Sequence, residues 1–162
     1  MEARIVKQID TEMDMEALGG MIAGYLKPGD LVYLAGELGA GKTTLTRGIV
    51  RGLGYQGRVN SPTFTLMNVY QAGLTIYHFD FYRLDEGGLL DLGLEDYLGR
   101  DGICIIEWPE VGTNLLPDDA LWIDIILEDD DYEGPRQVVV RGTGRRAQLI
   151  IERLKTLVNS GY

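Results

Sequence analysis

The segment Gly36-Glu-Leu-Gly-Ala-Gly-Lys-Thr43 constrains the fold of this chain more than any other feature. It matches the pattern Gly-x-x-x-x-Gly-Lys-Thr, in which glycines permit a loop whose successive backbone N–H groups turn inward around phosphate oxygens. An apolar run, Leu31–Ala35, precedes the loop. After the loop, Leu45, Ile49 and Leu53 recur at the spacing of an amphipathic helix. A strand, a phosphate-binding loop and a helix are therefore expected in this order, with a nucleoside triphosphate as the ligand.

The loop assigns separate roles to its residues. Lys42 is placed to reach the β- and γ-phosphates, and the Thr43 hydroxyl, at the start of the helix, to bind Mg²⁺. The positive end of the helix dipole adds to the attraction for phosphate. Further nucleotide contacts are expected from the rest of the loop and the first helical turn, namely Glu37, Leu38, Gly39, Ala40, Gly41 and Thr44. The alternative is a glycine-rich turn without a ligand.

Composition limits the architecture and the cellular setting. With 162 residues and 45% hydrophobic content, the chain is expected to form a single domain over residues 1–162. No run approaches the roughly 18 apolar residues of a membrane span, and the amino-terminal segment lacks the apolar run of a signal peptide, so we expect a cytoplasmic protein without membrane contact. The lone cysteine, Cys104, lies in an apolar run and is expected to be a buried core residue.

The net charge of −10 is unevenly distributed. Residues 61–135 contain two basic and seventeen acidic side chains, whereas residues 136–162 contain six basic and one acidic. The acidity argues against strong autonomous binding to nucleic acid, because affinity for its backbone comes from cationic side chains. The basic carboxyl-terminal block is either a solvated face or an anion contact.

The pattern along the chain predicts an α/β, P-loop NTPase-like three-layer fold with a mixed, partly parallel central sheet. A helix is expected to begin at Asp10 or Thr11 and to bury Met15, Leu18 and Ile22. The other predicted elements are strands at 3–9, 31–35, 64–70, 74–80, 103–108, 121–127 and 137–141, and helices at 85–98 and 145–158. The acidic run at 128–131 is expected to be a solvated loop, with metal binding as the alternative.

Acidic residues follow two of the predicted strands. Glu107 ends the apolar run of the strand predicted at 103–108 and fits the second ligand of Mg²⁺, the alternative being a surface glutamate. Asp80 either orients an attacking water or completes the outer shell of the metal, with an ion pair to Arg83 as the alternative. His78 shares a face with Asp80, although a lone histidine is more often a packing residue. Trp108 is either a partner or nucleotide contact or a core residue.

Three hydroxyl side chains lie in Ser61-Pro-Thr-Phe-Thr65, shortly after the helix that follows the loop. Many nucleotide hydrolases have a switch that senses the γ-phosphate at this place in the chain. Thr63 and Thr65 are the candidate nucleotide contacts of such a switch. The alternative is an ordinary capped turn.

Four motifs occur together: Gly-Glu-Leu-Gly-Ala-Gly-Lys-Thr-Thr at 36–44, Ser-Pro-Thr-Phe-Thr at 61–65, Tyr-His-Phe-Asp-Phe-Tyr-Arg-Leu at 77–84 and Ile-Glu-Trp-Pro-Glu at 106–110. Their combination closely resembles the bacterial TsaE family, also called YjeE, over nearly the whole chain. The resemblance implies an ATPase required for the threonylcarbamoyl modification of the adenosine next to the anticodon in tRNAs that read codons starting with A.

The same resemblance implies partners and roles for particular residues. Family members work with the proteins TsaB and TsaD. Their ATP hydrolysis is thought to reset the TsaB–TsaD complex between turnovers, and they contact tRNA only through that complex. Activity of the ATPase alone is expected to be weak. The roles transferred by position are Thr43 and Glu107 for Mg²⁺, Lys42 for phosphate, Asp80 as an essential polar residue, Thr63 and Thr65 for the switch, and Thr11 and Arg136 near the nucleotide.

Three other functional classes use the same loop. A small-molecule kinase usually has an arginine-bearing lid, and the middle third of this chain has only Arg83 and Arg100. A GTPase is disfavoured because no Asn-Lys-x-Asp motif reads guanine. The third class is a nucleotide-gated binding module in which hydrolysis is incidental.

Overall fold

A computed structural model of the protein describes residues 3–63, 65–98 and 101–159; Phe64 and Arg100 therefore lie outside the described residues. The described residues contain one sheet with the order β1-β7-β6-β2-β5-β4-β3. Its strands are β1 (Arg4–Ile9), β2 (Leu31–Gly36), β3 (Met67–Gln71), β4 (Thr75–Asp80), β5 (Ile103–Glu107), β6 (Leu121–Leu127) and β7 (Arg136–Gly142). The helices are α1 (Glu12–Ala23), α2 (Lys42–Gly52), α3 (Glu86–Asp91) and α4 (Arg145–Asn159).

The sheet is mixed and partly parallel, as the sequence predicted. Strand β2 pairs in parallel with β5 and β6, and β4 pairs in parallel with β5. Strand β7 is antiparallel to both β6 and β1, so β1 runs in the same direction as β6. Strands β1, β2, β4, β5 and β6 consequently end at one edge of the sheet, where α/β folds usually place their ligands.

Helices cover the sheet on both faces and complete the predicted three layers. Residues of α1, α2 and α4 pack on one face with alternate residues of the strands, including Leu34 and Ile105. The opposite face packs against α3 and irregular segments, through residues such as Phe79 and Leu89. Strand β5 is buried along its whole length because it is covered on both sides. No helix in the described part of the chain is long and apolar enough to cross a membrane.

Helices α1 and α2 approach each other at backbone distance. A Cβ atom added to Gly48 of α2 would lie 2.1 Å from the carbonyl oxygen of Glu16 in α1. One added to Gly19 of α1 would lie 2.5 Å from the carbonyl oxygen of Leu45. Glycine is thus required on both sides of this crossing. The contact holds the start of α1 beside the loop that leads into α2.

The structure corrects two of the predicted elements. The helix predicted at 85–98 is wrong as one element, because α3 ends at Asp91 and a separate 3-10 turn covers Leu94–Asp96. Gly93 between them is left-handed, with φ of 66°, which a continuing helix excludes. Strand β3 begins at Met67, later than predicted, because Leu66 just before it has φ of 68° and is not extended.

Other predictions are confirmed. Met15, Leu18 and Ile22 are buried in α1, and Cys104 is fully buried. The acidic run after β6 is exposed and includes the short 3-10 turn Glu128–Asp130. No group of three or more histidine, cysteine or acidic side chains suited to a metal ion occurs among the described residues.

Candidate nucleotide site

The predicted phosphate loop joins β2 to α2 at the common edge of the sheet. Gly39 and Gly41 have φ of 80° and 119°, a left-handed conformation that side chains with a Cβ rarely adopt. A Cβ on Gly41 would also lie 3.2 Å from Cε of Met15 in α1. The loop therefore has the backbone shape that the sequence pattern requires, and α1 packs directly against it.

A cavity of about 490 Å³ opens over the loop. Most of the predicted site residues line it: Thr11, Leu38, Gly39, Ala40, Gly41, Lys42, Thr43, Thr44, Thr63, Asp80, Glu107 and Arg136. Glu37 and Thr65 are not among the lining residues. Thr65 is exposed and its hydroxyl donates to Oδ1 of Asn68 at 3.0 Å, at the start of the β3–β4 hairpin.

Strand pairing explains how Thr11 and Arg136 reach this cavity from opposite ends of the sequence. Ile9, the last residue of β1, pairs with Arg136, and Arg136 pairs with Leu127 at the end of β6. All three positions therefore lie at the same edge of the sheet as the phosphate loop. The Thr11 hydroxyl caps α1 by accepting from the N–H of Asp14 at 3.0 Å.

Lys42 lies inside the site with only 5% of its surface exposed. Its Nζ donates to the carbonyl oxygen of Gly36 at 2.5 Å and lies 4.2 Å from the ring centroid of Trp108. Burial lowers the pKa of the Lys42 ammonium, and the nearby Glu107 and Asp80 carboxylates act in the opposite direction. The ammonium is thus held by the first residue of the loop, within reach of the carboxylates.

Asp80 and Glu107 occupy paired positions at the ends of β4 and β5. The two side chains project from the face of the sheet that packs against α2, because Ile76, four residues before Asp80, and Ile105, two residues before Glu107, belong to that core. Glu107 is only 3% exposed, so the alternative of a surface glutamate is wrong. Its Oε2 lies 2.6 Å from Nε2 of His78, which is fully buried.

Asp80 connects the cavity to the segment at 61–65. Its Oδ2 accepts from the hydroxyl of Thr63 at 2.9 Å, and its Oδ1 accepts from the backbone N–H of Tyr82 at 2.9 Å. The hydroxyls of Thr63 and Ser61 are 2.7 Å apart. This hydrogen-bonded chain ties the candidate switch to the candidate catalytic carboxylate.

Trp108 is a packing residue that also lies at the wall of the cavity. Its ring is partly buried, packs against Tyr82 with centroids 5.0 Å apart, and also lines the cavity. Its backbone is left-handed, with φ of 57°, so that the chain turns sharply at the end of β5. The turn aims the ring towards Lys42.

Arg136 holds the phosphate loop to the segment before β7. Its guanidinium donates to the carbonyl oxygens of Ala40 at 3.1 Å and Gly39 at 3.3 Å on the loop. On the other side it donates to the carbonyl oxygens of Tyr132 at 2.8 Å and Gly134 at 2.5 Å. Five N–H donors on a planar group suit this bridging role.

Sequence reasoning missed several cavity residues, namely Ile9, Asp10, Glu12, Met15, Tyr132 and Glu133. The hydroxyl of Tyr132 donates to Oε2 of Glu37 at 3.2 Å, and its ring lies over Gly39. A tyrosine that interrupts an acidic, exposed run was the available signal for this contact. The amino-terminal residues offered no such signal, since only strand order places them beside the loop.

Comparison with known proteins agrees with this geometry. Residues 9–138 match the family model described as threonylcarbamoyl adenosine biosynthesis protein TsaE, a span that includes every residue lining the cavity. The Haemophilus influenzae tRNA threonylcarbamoyladenosine biosynthesis protein TsaE is 50% identical over 110 residues, 67% of each chain. The Bacillus subtilis protein of the same name is 39% identical over 142 residues, 87% of each chain. The crystal structure of YdiB from Bacillus subtilis superposes with a TM-score of 0.83 at 32% identity, covering 96% of this chain and 97% of YdiB.

Proposed function

This chain belongs to the TsaE family, and from that premise we propose that it is a cytoplasmic, Mg²⁺-dependent ATPase that acts in tRNA threonylcarbamoyladenosine biosynthesis. One observation carries the proposal: Lys42, Thr43, Asp80 and Glu107 line the same cavity above a phosphate loop. Phosphoryl transfer requires charge neutralisation, a metal and an oriented nucleophile, and these four side chains supply the protein's part of each.

The residues present suit Mg²⁺ bound together with a nucleotide. Thr43 and Glu107 offer oxygen ligands, which hard cations prefer. No group of three or more histidine, cysteine or acidic side chains suited to a metal ion occurs among the described residues, so the other ligands would come from the nucleotide and water. Mg²⁺ commonly uses one or two protein ligands and takes the others from substrate phosphates and water. When bound, the metal would neutralise charge on the β- and γ-phosphates.

Each group at the phosphate loop has a separate role in the proposed hydrolysis of ATP. Backbone N–H groups of Gly39, Gly41 and Lys42 receive the phosphates, and the Lys42 ammonium exchanges the Gly36 carbonyl for a phosphate oxygen. Asp80 has lone pairs beyond those used by Thr63 and Tyr82, and these accept a hydrogen bond from the attacking water. Because Thr63 is bound to Asp80, ordering of the 61–63 segment by the γ-phosphate would align that carboxylate.

We further propose that the chain acts with TsaB and TsaD and meets tRNA only within that complex. The relatives named above are tRNA threonylcarbamoyladenosine biosynthesis proteins, which supports the pathway. The net charge of −10 supports an indirect encounter with tRNA, because the protein on its own would repel a polyanion. A protein partner that completes the site would also account for the weak activity that is expected of the isolated chain.

The test measures phosphate release from Mg-ATP with and without TsaB, TsaD and tRNA, together with formation of the modified adenosine by mass spectrometry. We expect turnover that depends on Mg²⁺ and rises with the partners. Lys42→Ala should abolish productive ATP binding, measured by isothermal titration, whereas Lys27→Ala, at an exposed lysine away from the cavity, should leave it unchanged. Unchanged ATP affinity and turnover in Lys42→Ala would refute the assignment, and transfer of phosphate to a metabolite would favour a kinase.

A further inference from the structure

The hydrogen bond between His78 and Glu107 is buried behind the cavity. Nε2 of His78 lies 2.6 Å from Oε2 of Glu107, and the two side chains are 0% and 3% exposed. Glu107 lines the cavity, whereas His78 does not. The imidazole therefore contacts the carboxylate from the side of the protein interior and has no access to a ligand.

Sheet geometry fixes this arrangement. His78 is paired with Ile105, and Asp80 is paired with Glu107, in the parallel register of β4 and β5. Residues two apart on a strand share a face, so His78, Asp80 and Glu107 all project towards α2. The Glu107 side chain then leans back along its strand far enough to meet the imidazole of His78, two residues before Asp80 on β4.

A buried carboxylate needs hydrogen-bond donors to offset its desolvation. Within the described residues, His78 is the only side chain found to donate to Glu107. A carboxylate accepts and does not donate, so Nε2 carries the hydrogen. Oε2 is thereby engaged, and Oε1 is left for the cavity, where Lys42 and Thr43 lie.

The imidazole itself is held by packing. No described group hydrogen-bonds to Nδ1 of His78, which is also buried. The ring of Tyr70, on the neighbouring strand β3, lies 6.4 Å away at an interplanar angle of 31°. Because β3, β5 and the Tyr70 ring confine the His78 imidazole, it keeps one orientation. Its hydrogen bond then holds the Glu107 carboxylate in one orientation as well.

We propose that His78 is a positioning residue that fixes the Glu107 carboxylate in the rotamer needed to receive the magnesium nucleotide. The inference rests on the proposed function, since it requires Glu107 to face Mg-ATP. Partners of this kind, which orient a metal-ligating side chain from behind, typically affect metal affinity or activity by 10- to 100-fold.

The test compares His78→Met with His78→Gln. Methionine has a similar length and no donor, whereas the glutamine amide nitrogen replaces Nε2 as a donor to Glu107. In His78→Met we expect the Mg²⁺ concentration for half-maximal turnover to rise about tenfold or more, with metal-free ATP affinity unchanged. His78→Gln should restore most of the Mg²⁺ dependence. Phe79→Leu, which alters a buried residue of the same strand on the opposite face, should lower stability without changing Mg²⁺ dependence.

Crystal structures of both His78 variants give a second readout that does not depend on activity. The Glu107 carboxylate should leave its position in His78→Met and keep it in His78→Gln. Wild-type Mg²⁺ dependence in His78→Met, or equal defects in the two variants, would overturn the inference. Glu107→Gln separates the two proposals: if it hydrolyses ATP with wild-type Mg²⁺ dependence, the proposed role of Glu107 fails, and the crystal structures still decide whether His78 positions it.

Discussion

The backbone contact between α1 and α2 predicts a large effect from one methyl group. In Gly48→Ala, the new Cβ would lie 2.1 Å from the carbonyl oxygen and 2.8 Å from the carbonyl carbon of Glu16. Ordinary van der Waals contact begins at 3.4 Å, so α1 must move by about an ångström or more. The obstacle is backbone, which cannot rotate aside as a flexible side chain would.

The matched control is Gly20→Ala, on the α1 side of the same helix pair. The atom nearest to the new Cβ would be the carbonyl oxygen of Gly48, at a distance of 4.0 Å. Each substitution lies within a helix and gains about 1 kcal/mol of helix propensity. Only Gly48→Ala overpacks the interface between α1 and α2. Overpacking typically lowers the free energy of unfolding by about 1–3 kcal/mol or more, and here backbone atoms must move.

We therefore expect Gly20→Ala to stabilise the protein by about 0.5–1 kcal/mol and Gly48→Ala to destabilise it by about 2 kcal/mol. For a chain of this size, the second change corresponds to a decrease in Tm of about 4–8 °C. Thermal and urea unfolding followed by circular dichroism measure both. Gly48→Ala should also weaken ATP binding, because Met15 of α1 and Thr11, the N-cap residue of α1, line the cavity. A Gly48→Ala protein as stable as wild type, or equal losses in both variants, would refute the reasoning.

Two further predictions concern Arg136 and Cys104. Arg136→Met removes the guanidinium bridge to the phosphate loop and should raise the Kd for ATP about tenfold. The control, Arg145→Met at an exposed arginine, should leave the Kd unchanged. Equal Kd values for the two variants in a titration with ATP would contradict the bridging role. Cys104 should react with a thiol reagent only on unfolding, because it is fully buried. Burial raises the pKa of the Cys104 thiol to about 12. An unfolded thiol ionises at lower pH and loses its proton first, so the free energy of unfolding should fall with rising pH above about 8.5, by up to about 1.4 kcal/mol per pH unit. Cys104→Ala should lack this contribution. If urea unfolding gives the same pH dependence of the free energy of unfolding for the wild type and for Cys104→Ala, the prediction is contradicted.

Local chemistry explains which parts of the site were predictable. The phosphate loop depends on glycine conformations and a lysine at fixed spacing, so Gly36–Thr43 was recognisable from its own residues. Glu107 was placed correctly at the end of a buried strand because an unbroken apolar run indicates a central parallel strand. The helix predicted at 85–98 failed for a local reason as well, since Gly93 adopts a left-handed conformation that apolar periodicity does not reveal.

The sequence by itself determined the fold class, the phosphate loop and the identity of the residues at the strand ends, because each follows from local residue patterns and their order along the chain. Only the tertiary structure decided which distant residues share the cavity. Arg136 meets the loop because β7 pairs with β1 and β6, and His78 meets Glu107 because β4 lies beside β5 in a particular register. The order of the strands is set by packing of the whole sheet, and their register depends on which face of each strand is buried, so local spacing alone specifies neither.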